Sequence, residues 1–268
     1  MSFSSKEIKF EGKKLFYRVI GAGNPVILIH GFGETGEVWN DQASFLSASY
    51  RVIIPDLPGS GRSEAVADLS MENLAESIHS IIHEEEIEAC PVIGHSMGGY
   101  IALALAESYY NHVNALGLFH STTYADSEEK KETRHKGIGF IKQHGVSEFL
   151  QSTSPNLFSK HTKERSPELV KTFIDGLRSS FEPGSLIGYY EGMMARPDRT
   201  SVLRNLHAPM LFVIGEYDVA VSPDDALQQS YIPATSYVHL LKHSAHMGML
   251  EEKDISNAIL KEFLDGVK

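Results

Sequence analysis

The chain has 268 residues, 42% of them hydrophobic, enough to bury a sizeable core in one or two domains. Its 35 acidic residues against 24 basic give a formal net charge of -11 with histidine neutral. With no long basic run, that balance argues against a nucleic-acid partner and weakly against a densely anionic substrate. The single cysteine, Cys90, excludes an intrachain disulfide and reads as a packed thiol. Without a Cys/His cluster, no metal site is expected. The opening MSFSSKEIKFEGKK lacks an apolar signal segment and no stretch reaches membrane-spanning length. A cytoplasmic protein is therefore expected.

In chain order, Ile8-Lys-Phe10 and Leu15 to Ile20 read as short strands around a turn at Gly12-Lys13. Pro25-Val-Ile-Leu-Ile-His30 is continuously apolar and ends at Gly31-Phe32-Gly33, as suits a strand buried on both faces. Residues 38 to 48 can form a short helix, and Arg51 to Asp56 is a second buried strand. Ser70 is placed to cap a helix from Met71 to about Ile87, where Leu74, Ile78, Ile81 and Ile82 have helical spacing. Pro91-Val-Ile-Gly94 is another strand, and a helix is predicted from Tyr100 to Tyr110. Strands follow at Val113–His120, Met210–Gly215 and Tyr237–Leu241, and Ile255 to Leu264 closes the chain as an amphipathic helix.

Alternating strands and helices at this spacing predict an α/β fold with a mostly parallel sheet covered on both faces. Residues 121–205 break the rhythm, with no clear buried strand and helical pieces at about 128–144, 166–180 and 184–195. The expected organisation is a core from residues 1–120 and 206–268, with 121–205 inserted as a helical cap.

The strongest chemical signal is Gly94-His95-Ser96-Met97-Gly98. It satisfies G-x-S-x-G between a predicted strand and a predicted helix, the setting in which a sharp turn exposes a serine hydroxyl as a nucleophile. The helix behind it offers a free Met97 N–H, and the loop His30-Gly31-Phe32-Gly33 offers the Phe32 N–H. Two such donors would stabilise the negative charge that grows in acyl transfer. An orienting carboxylate is expected after the strand ending at Gly215, with Asp218 preferred to Glu216, Asp224 and Asp225. The base must be one of 13 histidines. His246 follows the last strand, His243 is its rival, and His95 sits too close to Ser96 to serve.

The ordered set His30-Gly-Phe-Gly33, Asp56-Leu-Pro-Gly-Ser-Gly-Arg-Ser63, Gly94-His-Ser-Met-Gly-Gly99, Asp218 and His246 resembles the α/β-hydrolase family. The similarity is to its cap-bearing serine hydrolases, which include esterases, lipases, carbon–carbon bond hydrolases and cofactor-free perhydrolases. It implies Ser96 as nucleophile, Asp218 as acid, His246 as base, and the Phe32 and Met97 amides as oxyanion hole. It also implies a cap after the strand ending near His120 and a supporting role for the 56–63 turn. The spacing from His246 to Glu251 matches the family and favours His246 over His243. Because Ser96 stands where epoxide- and halide-processing members carry aspartate, those activities are not expected.

The expected activity is hydrolysis of a small carboxylic ester through an acyl-enzyme, with no metal or organic cofactor. Carbon–carbon bond hydrolysis or perhydrolysis on the same triad is the alternative, and a small-molecule receptor on the same fold is the non-enzyme alternative. The expected partner is a small carbonyl compound of apolar or moderate polarity; oligomeric state is open. Among the cap's large side chains (Phe140, Phe149, Phe158, Phe173, Phe181, Tyr189, Tyr190, Met193 and Met194), most are expected to fill the cap. Phe140 and Met194 stand as candidate pocket residues. The charged run Ser127 to Glu132 is expected on the solvated outer face.

Overall fold

The computed structural model describes residues 2–177 and 180–267. Eight strands form one sheet in the order β1-β2-β4-β3-β5-β6-β7-β8. The hairpin β1 (Ser4–Phe10) and β2 (Lys13–Ile20) pairs antiparallel with β4 (Tyr50–Pro55). From β4 the sheet runs parallel through β3 (Asn24–Ile29), β5 (Cys90–His95), β6 (Val113–Phe119), β7 (Met210–Gly215) and β8 (Ser236–Leu241).

The continuous apolar runs follow from burial on both faces. In β3, Ile27 and Ile29 enter one core while Val26 and Leu28 enter the other. The alternation of side chains across a strand divides one hydrophobic run between two cores. The first core also takes the apolar stripes of α2 (Met71–Glu84) and α3 (Met97–Ser108). The second takes those of α1 (Asn40–Leu46) and α12 (Lys253–Gly266). Cys90 lies in the first core, where burial pushes its thiol up to about 12.

Several boundaries differ from the sequence reading. Ser70 caps α2 as expected, its hydroxyl accepting from Asn73 N–H. The helix stops at Glu84 rather than Ile87 because Glu86 adopts a left-handed conformation (φ 52°). α3 begins at Met97, not Tyr100, so Gly98 and Gly99 are helical despite their weak propensity. The residues at 38–48 split into a tight 3-10 turn over Gly36–Trp39 followed by α1.

Among the described residues, six α-helices rather than three lie between β6 and β7. They are α4 (Glu128–His144), α5 (Val146–Thr153), α6 (Lys160–Arg165), α7 (Pro167–Leu177), α8 (Pro183–Ala195) and α9 (Thr200–Asn205). The two ends of the expected 128–144 helix are met by the Ser127 cap and by Gly145 at φ 85°. The expected helix to 180 runs into residues 178 and 179, which lie outside the described residues. After β7 come α10 (Pro223–Ser230) and, after β8, the single turn α11 (Gly248–Glu251). Among the described residues, no helix is long and apolar enough to cross a membrane.

Trp39 is fully buried, its ring edge-on to Phe119 (centroids 5.3 Å) and His95 (6.4 Å). Trp39→Ala is expected to cost about 3–5 kcal/mol through the cavity it opens. As Trp39 is the only tryptophan, denaturant unfolding followed by circular dichroism is the suitable measurement.

Candidate active site

Ser96 sits at the junction of β5 and α3 with φ 51° and ψ −117°, a strained conformation for a residue with a Cβ. The turn is possible because its flanks are glycine. A Cβ on Gly94 would lie 2.1 Å from Gly98 O, and one on Gly98 would lie 2.5 Å from Ile29 O. The turn is pinned by Ser96 N–H donating to Phe119 O (3.0 Å) and by Ser121 Oγ–H donating to Ser96 O (2.8 Å). Met97 opens α3, so its amide has no acceptor one turn earlier in the helix.

The Phe32 amide belongs to the peptide whose carbonyl is Gly31 O. Leu57 N–H donates to His30 Nε2 (3.0 Å), which puts the His30 proton on Nδ1, and Nδ1–H donates to Gly31 O (2.8 Å). In a trans peptide the carbonyl and amide point apart, so the Phe32 N–H is held facing away from His30. Glu34 Oε2 fixes the preceding peptide by accepting from Gly31 N–H (2.8 Å).

Asp218 follows β7. Its Oδ1 accepts from Ala220 N–H (2.8 Å) and Val221 N–H (3.0 Å), and its Oδ2 accepts from His246 Nδ1 (2.8 Å). Glu216 and Asp224 are exposed and Asp225 is half-buried in α10, so Asp218 is the carboxylate brought to His246. His243 is exposed beside His161 (ring centroids 5.4 Å). His95 points away from the hydroxyl's chemistry: its Nδ1 meets Glu34 Oε2 (3.0 Å) and its Nε2 donates to His246 O (2.9 Å).

Sequence reasoning gave no role to three supporting residues. His120, at φ 50° after β6, brings Nδ1 to 3.2 Å from Asp218 Oδ2 without good hydrogen-bond alignment. Glu34 is buried behind the Phe32 loop. Glu251 holds the loop that carries His246, its Oε1 accepting from Ala245 N–H (2.9 Å) and Met247 N–H (3.3 Å). The one available signal was that each is a polar residue in or just after a motif already marked, at the sheet's C-terminal edge.

The electrostatics pair these groups. Burial alone would raise the Asp218 carboxyl, but the facing His246 and His120 outweigh it and hold it well below the carboxylate range. Burial would lower His246, yet Asp218 outweighs that and raises it above its ordinary value. His120 is lowered, since burial exceeds what Asp218 returns. Burial would likewise raise Glu34; His95 and the Gly31 amide hold it down. His120, Asp218 and His246 have metal-ligand atoms within 4.8 Å of one another, the one such group found among the described residues. Asp218 Oδ2 is already occupied by His246 Nδ1.

Ser96 and His246 open on a cavity of about 520 Å³, also lined by Phe32, Tyr100, Tyr190, Met193 and Val221. Two expectations about the helical segment fail here. Phe140 and Met194 do not line the cavity; Phe140 packs on His144 and Phe149 (centroids 4.5 and 6.2 Å). Tyr190 takes the place at the wall, stacked on Phe32 at 4.2 Å. The run Ser127 to Glu132 is not wholly an outer face: Ser127, Glu129 and Lys130 line the cavity, as do Thr133 and Arg134 one turn further along α4.

The family model described as α/β hydrolase fold matches residues 24–136. A thermophilic esterase from Thermogutta terrifontis superposes with a TM-score of 0.91 at 26% identity, covering 100% of this chain and 99% of that one. The chain has the α/β-hydrolase fold and is similar to members of that family. The 3-oxoadipate enol-lactonase 1 of Acinetobacter baylyi is 24% identical over 96% of both chains. The 2-hydroxy-6-oxononadienedioate/2-hydroxy-6-oxononatrienedioate hydrolase of Paraburkholderia phymatum is 26% identical over 94% of this chain and 91% of its own. These likenesses support a hydrolase.

The Asp218–His246 pairing has a measurable consequence. Raised above its ordinary value, His246 contributes stability below its unfolded pKa, and that contribution is lost as pH rises through the folded pKa. NMR titration should place the His246 midpoint above about 6.5, and Asp218→Asn should lower it. An unmoved midpoint in that variant would show that Asp218 does not set the imidazole's charge.

Proposed function

We propose that the protein is a serine hydrolase that cleaves a small carboxylic ester through a covalent acyl-enzyme. Ser96 is the nucleophile, His246 the general base, Asp218 the orienting acid, and the Phe32 and Met97 amides the oxyanion hole. The observation that carries this reading is the meeting of a strained, glycine-flanked Ser96 with His246 at one cavity, His246 being held through Nδ1 by buried Asp218. With Nδ1–H donated to Asp218, Nε2 is the nitrogen left to take the Ser96 proton.

In this mechanism Ser96 Oγ attacks the carbonyl carbon as its proton passes to His246 Nε2. The oxygen that becomes negative is received by the two amides, whose directions are fixed before substrate arrives. His246 then protonates the departing alcohol, and later takes a proton from the water that releases the acid. The likeness to an esterase supports this chemistry, as does the likeness to a protein named an enol-lactonase, a lactone being an internal ester.

Residues 121–205 form the cap in this reading. Its helices supply Tyr190 and Met193 to the cavity wall, so it selects substrate and limits water around the reacting bond. Shrinking a wall residue removes apolar contact worth about 1–3 kcal/mol per methylene. Met193→Ala should therefore change the ratio of kcat/KM between p-nitrophenyl acetate and octanoate by roughly ten-fold or more, while both remain substrates. An unaltered ratio would move specificity to the core loops.

The decisive experiment is labelling by a fluorophosphonate with a p-nitrophenyl acetate burst. One equivalent of label on Ser96, a burst of one equivalent of p-nitrophenol, and loss of both in Ser96→Ala are expected, with that variant's melting temperature near wild type. The acid limb of kcat/KM should have its midpoint above about 6.5, since the raised His246 must lose its proton to act as base. Turnover in Ser96→Ala near the wild-type rate would overturn the assignment.

A further inference from the structure

Lys130 and Arg134 stand against Glu34 and Glu129 in the wall of the cavity at Ser96, an even balance in a chain of net −11. Arg134, which lines the cavity, and Arg196 share one buried carboxylate, that of Asp126. Arg134 Nη2 lies 3.1 Å from Asp126 Oδ1, and Arg196 Nη1 lies 2.8 Å from the same oxygen. One carboxylate between two guanidinium groups leaves one positive charge over. Arg196 also lies over the ring of Tyr100 (3.8 Å), which faces the cavity.

Lys130 adds a second. It is half-buried on α4 and lines the same cavity. Its ammonium has three protons to donate. It makes one long contact, to Ala220 O at 3.4 Å, and among the described residues no carboxylate pairs with it. Two acidic side chains also line the cavity. Glu34 is matched by His95, and Glu129 is exposed, so water screens its charge. What remains is a cation with open donor positions at a half-buried wall, next to apolar surface from Tyr190 and Met193.

Resting on the reading of Ser96 as nucleophile, we propose that the ester substrate bears a carboxylate, in its acyl or its leaving part, and that Lys130 receives it. The surplus guanidinium charge behind Tyr100 adds to the attraction. A single receiving ammonium suits one carboxylate and not a densely charged ligand, in keeping with the acidic surface of the chain.

The test uses two matched ester pairs on the full-length protein. In the first, p-nitrophenyl glutarate monoester is compared with p-nitrophenyl pentanoate, placing the charge in the acyl part. In the second, 4-acetoxybenzoate is compared with phenyl acetate, placing it in the leaving part. In at least one pair the carboxylated ester should have kcat/KM about tenfold higher, mainly through KM, as one charge-assisted hydrogen bond allows. Lys130→Gln should lower that ratio about tenfold, and Lys130→Arg should restore most of it. Lys136→Gln removes the same charge from the exposed side of the same helix, where Lys136 pairs with Glu132, and should leave the ratio unchanged. Added salt should shrink the wild-type ratio without any variant. No preference in either pair, a preference kept in Lys130→Gln, or a ratio indifferent to salt would overturn the proposal. Failure is separable from failure of the hydrolase reading. If the fluorophosphonate labels Ser96 and the ratios stay flat, only the carboxylate proposal falls. If it does not label Ser96, the nucleophile itself is wrong and the proposal falls with it.

Discussion

Between Gly94 and Gly98 the chain passes from strand to helix so tightly that a Cβ on Gly94 would be 2.1 Å from Gly98 O. No side chain fits there, and the crowding forces Ser96 to φ 51°. That steric constraint fixes where everything else must be. A serine held at the end of β5 can be reached only from neighbouring strand ends. Parallel strands put those ends on one edge: Phe32 after β3, His120 after β6, Asp218 after β7 and His246 after β8. The strain is held by packing on both sides, since α3 lies in a core of fully buried aliphatic side chains.

Around the serine, the interior accommodates two imidazole–carboxylate pairs, Asp218–His246 and Glu34–His95, all four buried. A lone charge at such depth would cost several kcal/mol, so each carboxylate survives as an anion only because donors surround it. The pairs are not independent. His95 Nε2–H donates to the carbonyl of His246, joining the strand that carries Ser96 to the loop that carries the imidazole. Glu34 reaches the other way and takes the Gly31 N–H. Protonating Glu34 would weaken Oε2, the acceptor that the Phe32 loop and His95 share.

Much of this was legible from sequence because it is local. G-x-S-x-G between an apolar run and an Ala/Leu-rich stretch names the elbow, and Gly215-Glu-Tyr-Asp218 names the carboxylate once the preceding strand is recognised. What escaped was set by tertiary geometry or by a weak local signal. His120 and Glu34 became site residues only when β3, β5, β6 and β7 lay side by side. Helix α10 was signalled by Ser222-Pro223-Asp-Asp, a cap followed by proline in the first turn, and Ser222 does accept from Asp225 N–H. The short helices α5, α6 and α9 have too few turns for a periodic stripe. Phe140 and Met194 were indistinguishable from Tyr190 and Met193 in composition; the rotation of α4 and α8 against the sheet decides which of them meets the cavity.

That Asp218 engages His246 and not His243 has a physical cause beyond proximity to β8. Glu251 uses one oxygen for the amides of Ala245 and Met247, fixing the backbone on both sides of His246. Its other oxygen accepts from Ser159 N–H (2.8 Å) and Thr162 Oγ1 (2.7 Å), at the start of α6. His246 N–H in turn donates to Leu157 O (2.9 Å). The loop that presents the imidazole is thus bonded to the helical segment as firmly as to the sheet. Three residues earlier, the His243 amide is held by the neighbouring Glu252 (2.9 Å), which leaves its ring outside. The spacing from His246 to Glu251 is one turn plus a return, enough for a carboxylate to reach back under the residue it supports. A shift of the α6 end would move His246 relative to Ser96, so placement of the imidazole and placement of the helices between β6 and β7 are one structural problem, solved through a single side chain.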